Sequence, residues 1–235
     1  MTKDEVMKTL AALGSEQTKK TLMRHGAKEP VFGVKVGDMK PIQKRIKKNY
    51  SLAVDLFATG NADAQYFAGL VADESKITKK DLAAWVKNAN YSMISEYTVA
   101  WIAAESNYGW ELALEWIESP TEKIAASGWA TFANIVALQP DESLDIKKLE
   151  ALLKTVTKTI HTSANRVKHT MNQFVIATGS YVVPLGNKAK EAAKEIGLVT
   201  VNMGDTACKE PDAITYINKA ISMGKPGNKK KEARC

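Results

Sequence analysis

Two groups of cations raise the question of what this chain binds. Lys44, Arg45, Lys47 and Lys48 crowd one short stretch, and Lys154, Lys158, Arg166, Lys168 and His169 fall on what read as consecutive helices. Lysine and arginine gathered in this way gain by releasing the counterions condensed on a phosphate backbone. The competing readings are compensation of a helix C-terminal dipole for the first group and a solvated face for the second. Within Asn165–Asn172, Arg166 and Thr170 lie four apart, as do Lys168 and Asn172, which suits phosphate contacts or buried caps between helices. Trp101, Trp110 and Trp116 surround Glu105, Tyr108, Glu111 and Glu115. That grouping makes either a cleft that stacks a base or cation, or a buried aromatic cluster. Gly204–Lys209 sets Cys208 beside Lys209, but no histidine is near in sequence, so a structural cysteine is the stronger reading than a reactive thiol.

The layout of charge says more than its total. Over 235 residues the formal charge is +7, yet residues 1–60 hold 12 Lys/Arg against 6 Asp/Glu, residues 61–150 hold 7 against 14, and residues 151–235 hold 14 against 6. Two basic ends flank an acidic middle, and a polyanion is expected to be gripped by the ends. With 45% apolar and 25% charged residues the chain is neither disordered nor collagen-like. No apolar run approaches the roughly 18–20 residues of a membrane span. Acids at Asp4 and Glu5, with no apolar stretch behind them, argue against a signal peptide. Two cysteines, Cys208 and Cys235, fit a reducing compartment, and His25, His161 and His169 are too scattered for a zinc site. The expectation is a monomeric cytoplasmic protein with no cofactor, no metal and no membrane contact, and with a nucleic acid as its partner.

The elements that must carry these residues are helical. Val6, Leu10 and Leu13 recur at helical steps and stop before Gly14, and Met39, Ile42 and Ile46 form a second stripe with Asp38 as N-cap and Pro41 in the first turn. Thr78-Lys79-Lys80-Asp81 reads as a capping box with Asp in place of Glu, opening a helix through Leu82, Trp85 and Val86. Further stripes run through Ile124–Val136, ended by Pro140, through Ile146–Ile160, and through Val167–Thr178. Val34-Lys35-Val36, Tyr181-Val182-Val183 and Val199-Thr200-Val201 are short and isolated, and read as extended connectors rather than strands. The sum is an all-α protein of about 10–13 helices, an α-solenoid or a compact bundle. Residues 1–184 are expected to form the helical-repeat domain, 185–223 a helical extension packed on it, and 224–235 a basic mobile tail.

One stretch carries a resemblance. Phe32-Gly33-Val34-Lys35-Val36-Gly37-Asp38-Met39-Lys40-Pro41-Ile42-Gln43-Lys44 resembles the Phe-Gly-Val-x-Val-Pro-x-Leu-Arg-x-Ile-x-Lys stretch of the AlkD-like DNA alkylation repair proteins. The spacing of Ala53–Phe57, Phe67–Asp73 and Asp81–Val86 is similar to the same family, over roughly residues 5–180. The resemblance implies a superhelix of HEAT-like helical pairs with a basic concave groove for duplex DNA. Active relatives release N3- or N7-alkylated purines with a Trp, an Asp and an Arg, the carboxylate stabilising an oxocarbenium-like sugar. Their Trp-Asp-x-x-Asp motif aligns with Tyr91-Ser92-Met93-Ile94-Ser95, their Arg falls near Ala126 and their second cleft Trp near Gln173. The catalytic types are therefore absent from the aligned positions. Weak or missing alkylpurine excision is expected, with Glu96 or Glu105 as the carboxylates a surviving N-glycosylase would use. A protein-binding solenoid scaffold is the remaining alternative.

Overall fold

The computed structural model describes residues 1–234; Cys235 lies outside the described residues. Among those residues there are thirteen α-helices and no strand. Contacts divide them into two compact units. The first comprises Met1–Asn107 with Met203–Ala207 and Arg234, and the second Tyr108–Asn202 with Cys208–Ala233.

In the first unit α1 (Lys3–Leu13), α2 (Glu16–Arg24), α3 (Val36–Ile46), α4 (Tyr50–Phe57), α5 (Ala62–Val71), α6 (Lys79–Asn88) and α7 (Ala100–Glu105) surround one apolar centre. Its hub is α5, buried along its whole length and mostly apolar, with the buried Asp63 and Gln65 both hydrogen-bonded. Helix α4 packs on one flank, α3 on another, and a π-helical turn (Ile94–Val99) leading into α7 on a third. Gly69 permits that last approach, since a Cβ there would stand 2.5 Å from the Thr98 methyl. Phe57 stacks on Trp85 at 4.2 Å between ring centroids, so Trp85 is core as expected.

Asn61 opens α5 by accepting from the Ala64 N–H at 3.0 Å, and the residue two places later organises the loop in front of α3. The buried Asp63 carboxylate accepts from three successive backbone N–H groups, those of Phe32 (2.6 Å), Gly33 (3.0 Å) and Val34 (2.8 Å). Gly33 has φ +81°, and a Cβ there would meet the Lys19 nitrogen at 2.4 Å and the Ser15 oxygen at 2.5 Å. The Phe32-Gly33-Val34 stretch is thus an anchoring loop, not a ligand site. The expected start of α3 needs correction. Its N-cap is Lys35, not Asp38, which sits in the first turn, and Pro41 lies inside the helix. The Thr78–Asp81 capping box forms as expected, with both of its hydrogen bonds in place.

In the second unit α8 (Gly109–Ile117), α9 (Glu122–Leu138), α10 (Ile146–Thr159), α11 (Asn165–Tyr181), α12 (Gly186–Ile196) and α13 (Ala213–Ser222) follow. The two 17-residue helices α9 and α11 pack along their length through Trp129, Phe132 and Phe174. Gly128 lets α8 close on α9, and Gly179 lets α13 close on α11, where a Cβ would lie 2.7 Å from the Ile117 nitrogen and from the Ile217 side chain respectively. Lys229, in the segment expected as a mobile tail, is held: its Nζ donates to the Val136 carbonyl at 2.9 Å and pairs with Asp141 at 2.7 Å. A lysine that caps the last carbonyls of α9 while meeting a carboxylate gains more than one left in water.

No helix of the described residues is long and apolar enough to cross a membrane, and none of their His, Cys, Asp and Glu form a cluster of three that would hold a metal ion.

Candidate nucleic-acid interface

In the first unit the cations of α3 form a row. Met39 and Ile42 face inward, while Lys40, Lys44 and Lys47 recur at steps of four and three on the opposite side, all exposed. Arg45 is exposed beside them, and among the described residues no carboxylate lies within ion-pair distance of these four. Lys48 differs, because it is paired with Glu74. Lys40 escapes a reading that looks only for clusters; its signal in the sequence is the helical spacing to Lys44.

Lys47 closes α3 in a conformation with φ 59° and ψ −144°, a region that side chains other than glycine rarely adopt. Holding a lysine there costs about 1–3 kcal/mol and is tolerated most often where the side chain serves a function. Replacement by glycine relieves that strain but adds unfolded-state entropy, for a net gain of about 1 kcal/mol. Lys47→Gly is therefore expected to raise the urea midpoint at an unchanged m-value.

The positions aligned with the family's catalytic groups are closed. Tyr91 is 7% exposed, its hydroxyl points to the Met93 sulfur at 3.1 Å, and burial, with Asp63 and Tyr66 nearby, pushes its pKa up. It stays a neutral phenol at any physiological pH. Ser95 is fully buried and donates to the Ser92 carbonyl at 3.2 Å. Glu96 is buried at 4% exposure within the π-helical turn, whose i→i+5 bonding admits one residue more than an α-helical turn. Glu105 meets the Arg234 Nη2 at 3.0 Å, with Glu74 on the same guanidinium. In the second unit Ala126 is fully buried and Gln173 is half-buried.

The second cationic group is dispersed by its surroundings. Lys154 pairs with Glu150 at 3.1 Å, and that carboxyl is held below its usual range by Lys188 first and Lys154 second. Lys158 is exposed and Lys168 half-exposed, neither with a carboxylate partner, whereas the Arg166 backbone N–H donates to Glu122 at 2.7 Å with its side chain half-exposed. His169 departs from the expectation of a phosphate contact. It is 6% exposed and its Nδ1 stands 2.7 Å from the Glu210 carboxylate, which also accepts from Asn172 at 2.6 Å. Thr170 and Asn172 are buried too: the Thr170 hydroxyl donates to the Arg166 and Val167 carbonyls of its own helix, and the Asn172 amide to the Pro211 carbonyl in the segment before α13. Trp101 and Trp116 are core, Trp110 packs edge-on to Phe132, and Cys208 lies at the surface.

Comparison with known proteins places this arrangement. A solved structure described as "a new family of proteins related to the HEAT-like repeat DNA glycosylases with affinity for branched DNA structures" is 40% identical. It superposes with a TM-score of 0.91, each chain covered completely. An uncharacterized protein of Listeria monocytogenes serovar 1/2a is 35% identical over 231 residues, covering 96% of this chain and 100% of its own. One of Listeria innocua serovar 6a is 34% identical, covering 94% and 97%. The fold is thus that of the HEAT-like helical repeats. The profile described as "DNA alkylation repair enzyme" matches residues 6–184, and the chain belongs to that family.

Proposed function

We propose that this protein binds DNA through phosphate contacts made by Lys40, Lys44, Arg45 and Lys47 on α3 and by Lys158, Arg166 and Lys168, and that it does not excise alkylated purines. The reading rests on one asymmetry: the cations of α3 stand exposed and without carboxylate partners, whereas the carboxylates available for chemistry are buried (Glu96) or ion-paired (Glu105). A carboxylate that is to meet an oxocarbenium-like sugar must reach the substrate and bring an uncompensated charge. The affinity of the structural relative for branched DNA supports junctions or forks as the preferred form.

Binding of this kind is governed by counterion release, so the logarithm of affinity falls linearly with the logarithm of salt. Fluorescence anisotropy on a labelled three-way junction and on linear duplex tests it. Lys40→Glu/Lys44→Glu/Lys47→Glu is expected to lose about two orders of magnitude in affinity, and Arg166→Glu/Lys168→Glu about tenfold, each with a shallower salt slope. Undiminished affinity in both variants would refute the assignment. Single-turnover incubation with N-methylated duplex, protein in excess and binding confirmed in the same tube, is expected to release base at the spontaneous rate. Faster release, lost in Glu96→Gln or Glu105→Gln, would instead establish a glycosylase with a relocated carboxylate.

A further inference from the structure

Helix α2 spans nine residues and buries none of them. Thr18, Lys19, Thr21 and Leu22 are half-buried and the other five residues of the helix are exposed, so α2 offers solvent a broad face. Gln17, Lys20, Thr21 and Arg24 recur at helical steps on one face, with Met23 45% exposed beside them. Lys20 and Arg24, one turn and about 6 Å apart, are exposed and have no carboxylate within ion-pair distance. The Arg24 Nη2 lies 3.5 Å from the Thr21 hydroxyl, which directs the guanidinium along this face. The other edge of α2 is firmly seated. The Ser15 hydroxyl caps it at Thr18, the Ser15 N–H donates to the Gly33 carbonyl at 3.0 Å, and Lys19 takes up Glu29 at 2.7 Å. That ion pair occupies Glu29, and Glu16, one turn before Lys20 on the same helix, makes no ion pair with it.

We propose that this face of α2 is a second phosphate-binding surface, holding the backbone of a second duplex arm when the protein is bound at a branch. The proposal rests on the DNA-binding reading above and adds the element that distinguishes branched from linear DNA. Two cations one turn apart, flanked by the Gln17 amide and the Thr21 hydroxyl, fit phosphate and sugar oxygens, so the contact is to the DNA backbone. A linear duplex presents one track of phosphates, which α3 engages. A branch presents further phosphates in another direction, and the cations of α2 answer them.

The test compares a three-way junction with a linear duplex of the same arm sequences for the wild type, for Lys20→Glu/Arg24→Glu, and for Lys20→Gln/Arg24→Gln, which preserves helix propensity. The wild type is expected to prefer the junction. The Glu variant should lose about tenfold on the junction alone, with linear affinity within twofold, and the junction salt slope should shrink by about two. The Gln variant should show a smaller loss of the same kind, its unchanged linear binding serving as the control for folding. Equal losses on both DNAs would make α2 part of the linear track and overturn the proposal, as would an unchanged junction affinity in both variants. A wild type that binds linear duplex without preferring the junction overturns this proposal alone. A wild type that binds neither DNA overturns the DNA-binding reading with it.

Discussion

Arg234→Ala is expected to lower the stability of the protein by about 3–5 kcal/mol, although the residue lies in a segment whose composition suggests a solvated tail. The guanidinium is 7% exposed and serves four groups at once. Its Nη1 points to the Leu70 and Ala72 carbonyls at 3.4 and 3.2 Å, closing the C-terminal end of α5, and its Nη2 meets Glu74 and Glu105. Truncation removes one cation from between two largely buried carboxylates, a larger loss than the net worth of either pair. Arg234→Lys keeps the charge but not the planar fork, and is expected to recover only part of the loss. Urea unfolding at pH 7 checks both variants; a loss below about 1 kcal/mol for Arg234→Ala would mean that the ion pairs are solvated.

The acid limb gives a second readout. Burial pushes the Glu74 carboxyl up, but the Lys48 hydrogen bond, its own backbone and Arg234 outweigh it and hold the folded value below the ordinary 4.5. Stability from this group is therefore present above about pH 4.5 and is lost as the pH falls through the lower folded value. In Arg234→Ala that acid-dependent part is expected to shrink, because the folded and unfolded values approach each other.

The helices were legible because each announces itself locally. The helix of Val6 and Leu10, the Thr78–Asp81 box and the Pro140 stop are matters of spacing and capping within a few residues and appear where expected, although Leu13, the last of that first stripe, is exposed. The start of α3 was not, because Lys35 makes no side-chain cap and the helix entry is fixed from 29 to 31 residues away by Asp63. For the same reason the binding groups were legible only in part. Lys44 and Lys168 are identified by type and position, but whether a cation is free depends on partners distant in sequence. His169 meets Glu210, 41 residues on, and Glu105 meets Arg234, 129 residues on. Burial removes His169 from any phosphate, and no pattern around it indicates that removal.

Asp63→Ala is expected to cost about 4 kcal/mol or more and to weaken DNA binding without touching a phosphate. Three N–H groups, on the half-buried Phe32 and the buried Gly33 and Val34, share the two carboxylate oxygens, and hydrogen bonds to a charged acceptor contribute about 1.5–3 kcal/mol each. Losing the acceptor leaves the two buried donors, on Gly33 and Val34, without a partner. Asp63→Asn is no rescue, since its amide offers one oxygen where two are used and turns an N–H toward a donor. The loop cannot relax inward either, because Gly33 already lies against the backbone of Ser15 and Lys19. What it holds is the entry to α3, one residue beyond Val34, so the row Lys40, Lys44 and Lys47 loses its fixed direction. Measured at a temperature where the variant stays folded, affinity is expected to fall about tenfold while the salt slope remains that of the wild type, since the cations are still present but badly aimed. Charge-reversal variants on α3 lower affinity and slope together. A slope that fell with affinity in Asp63→Ala would place the carboxylate's effect in the electrostatics of binding; an unchanged slope makes Asp63 the residue that positions α3 for DNA.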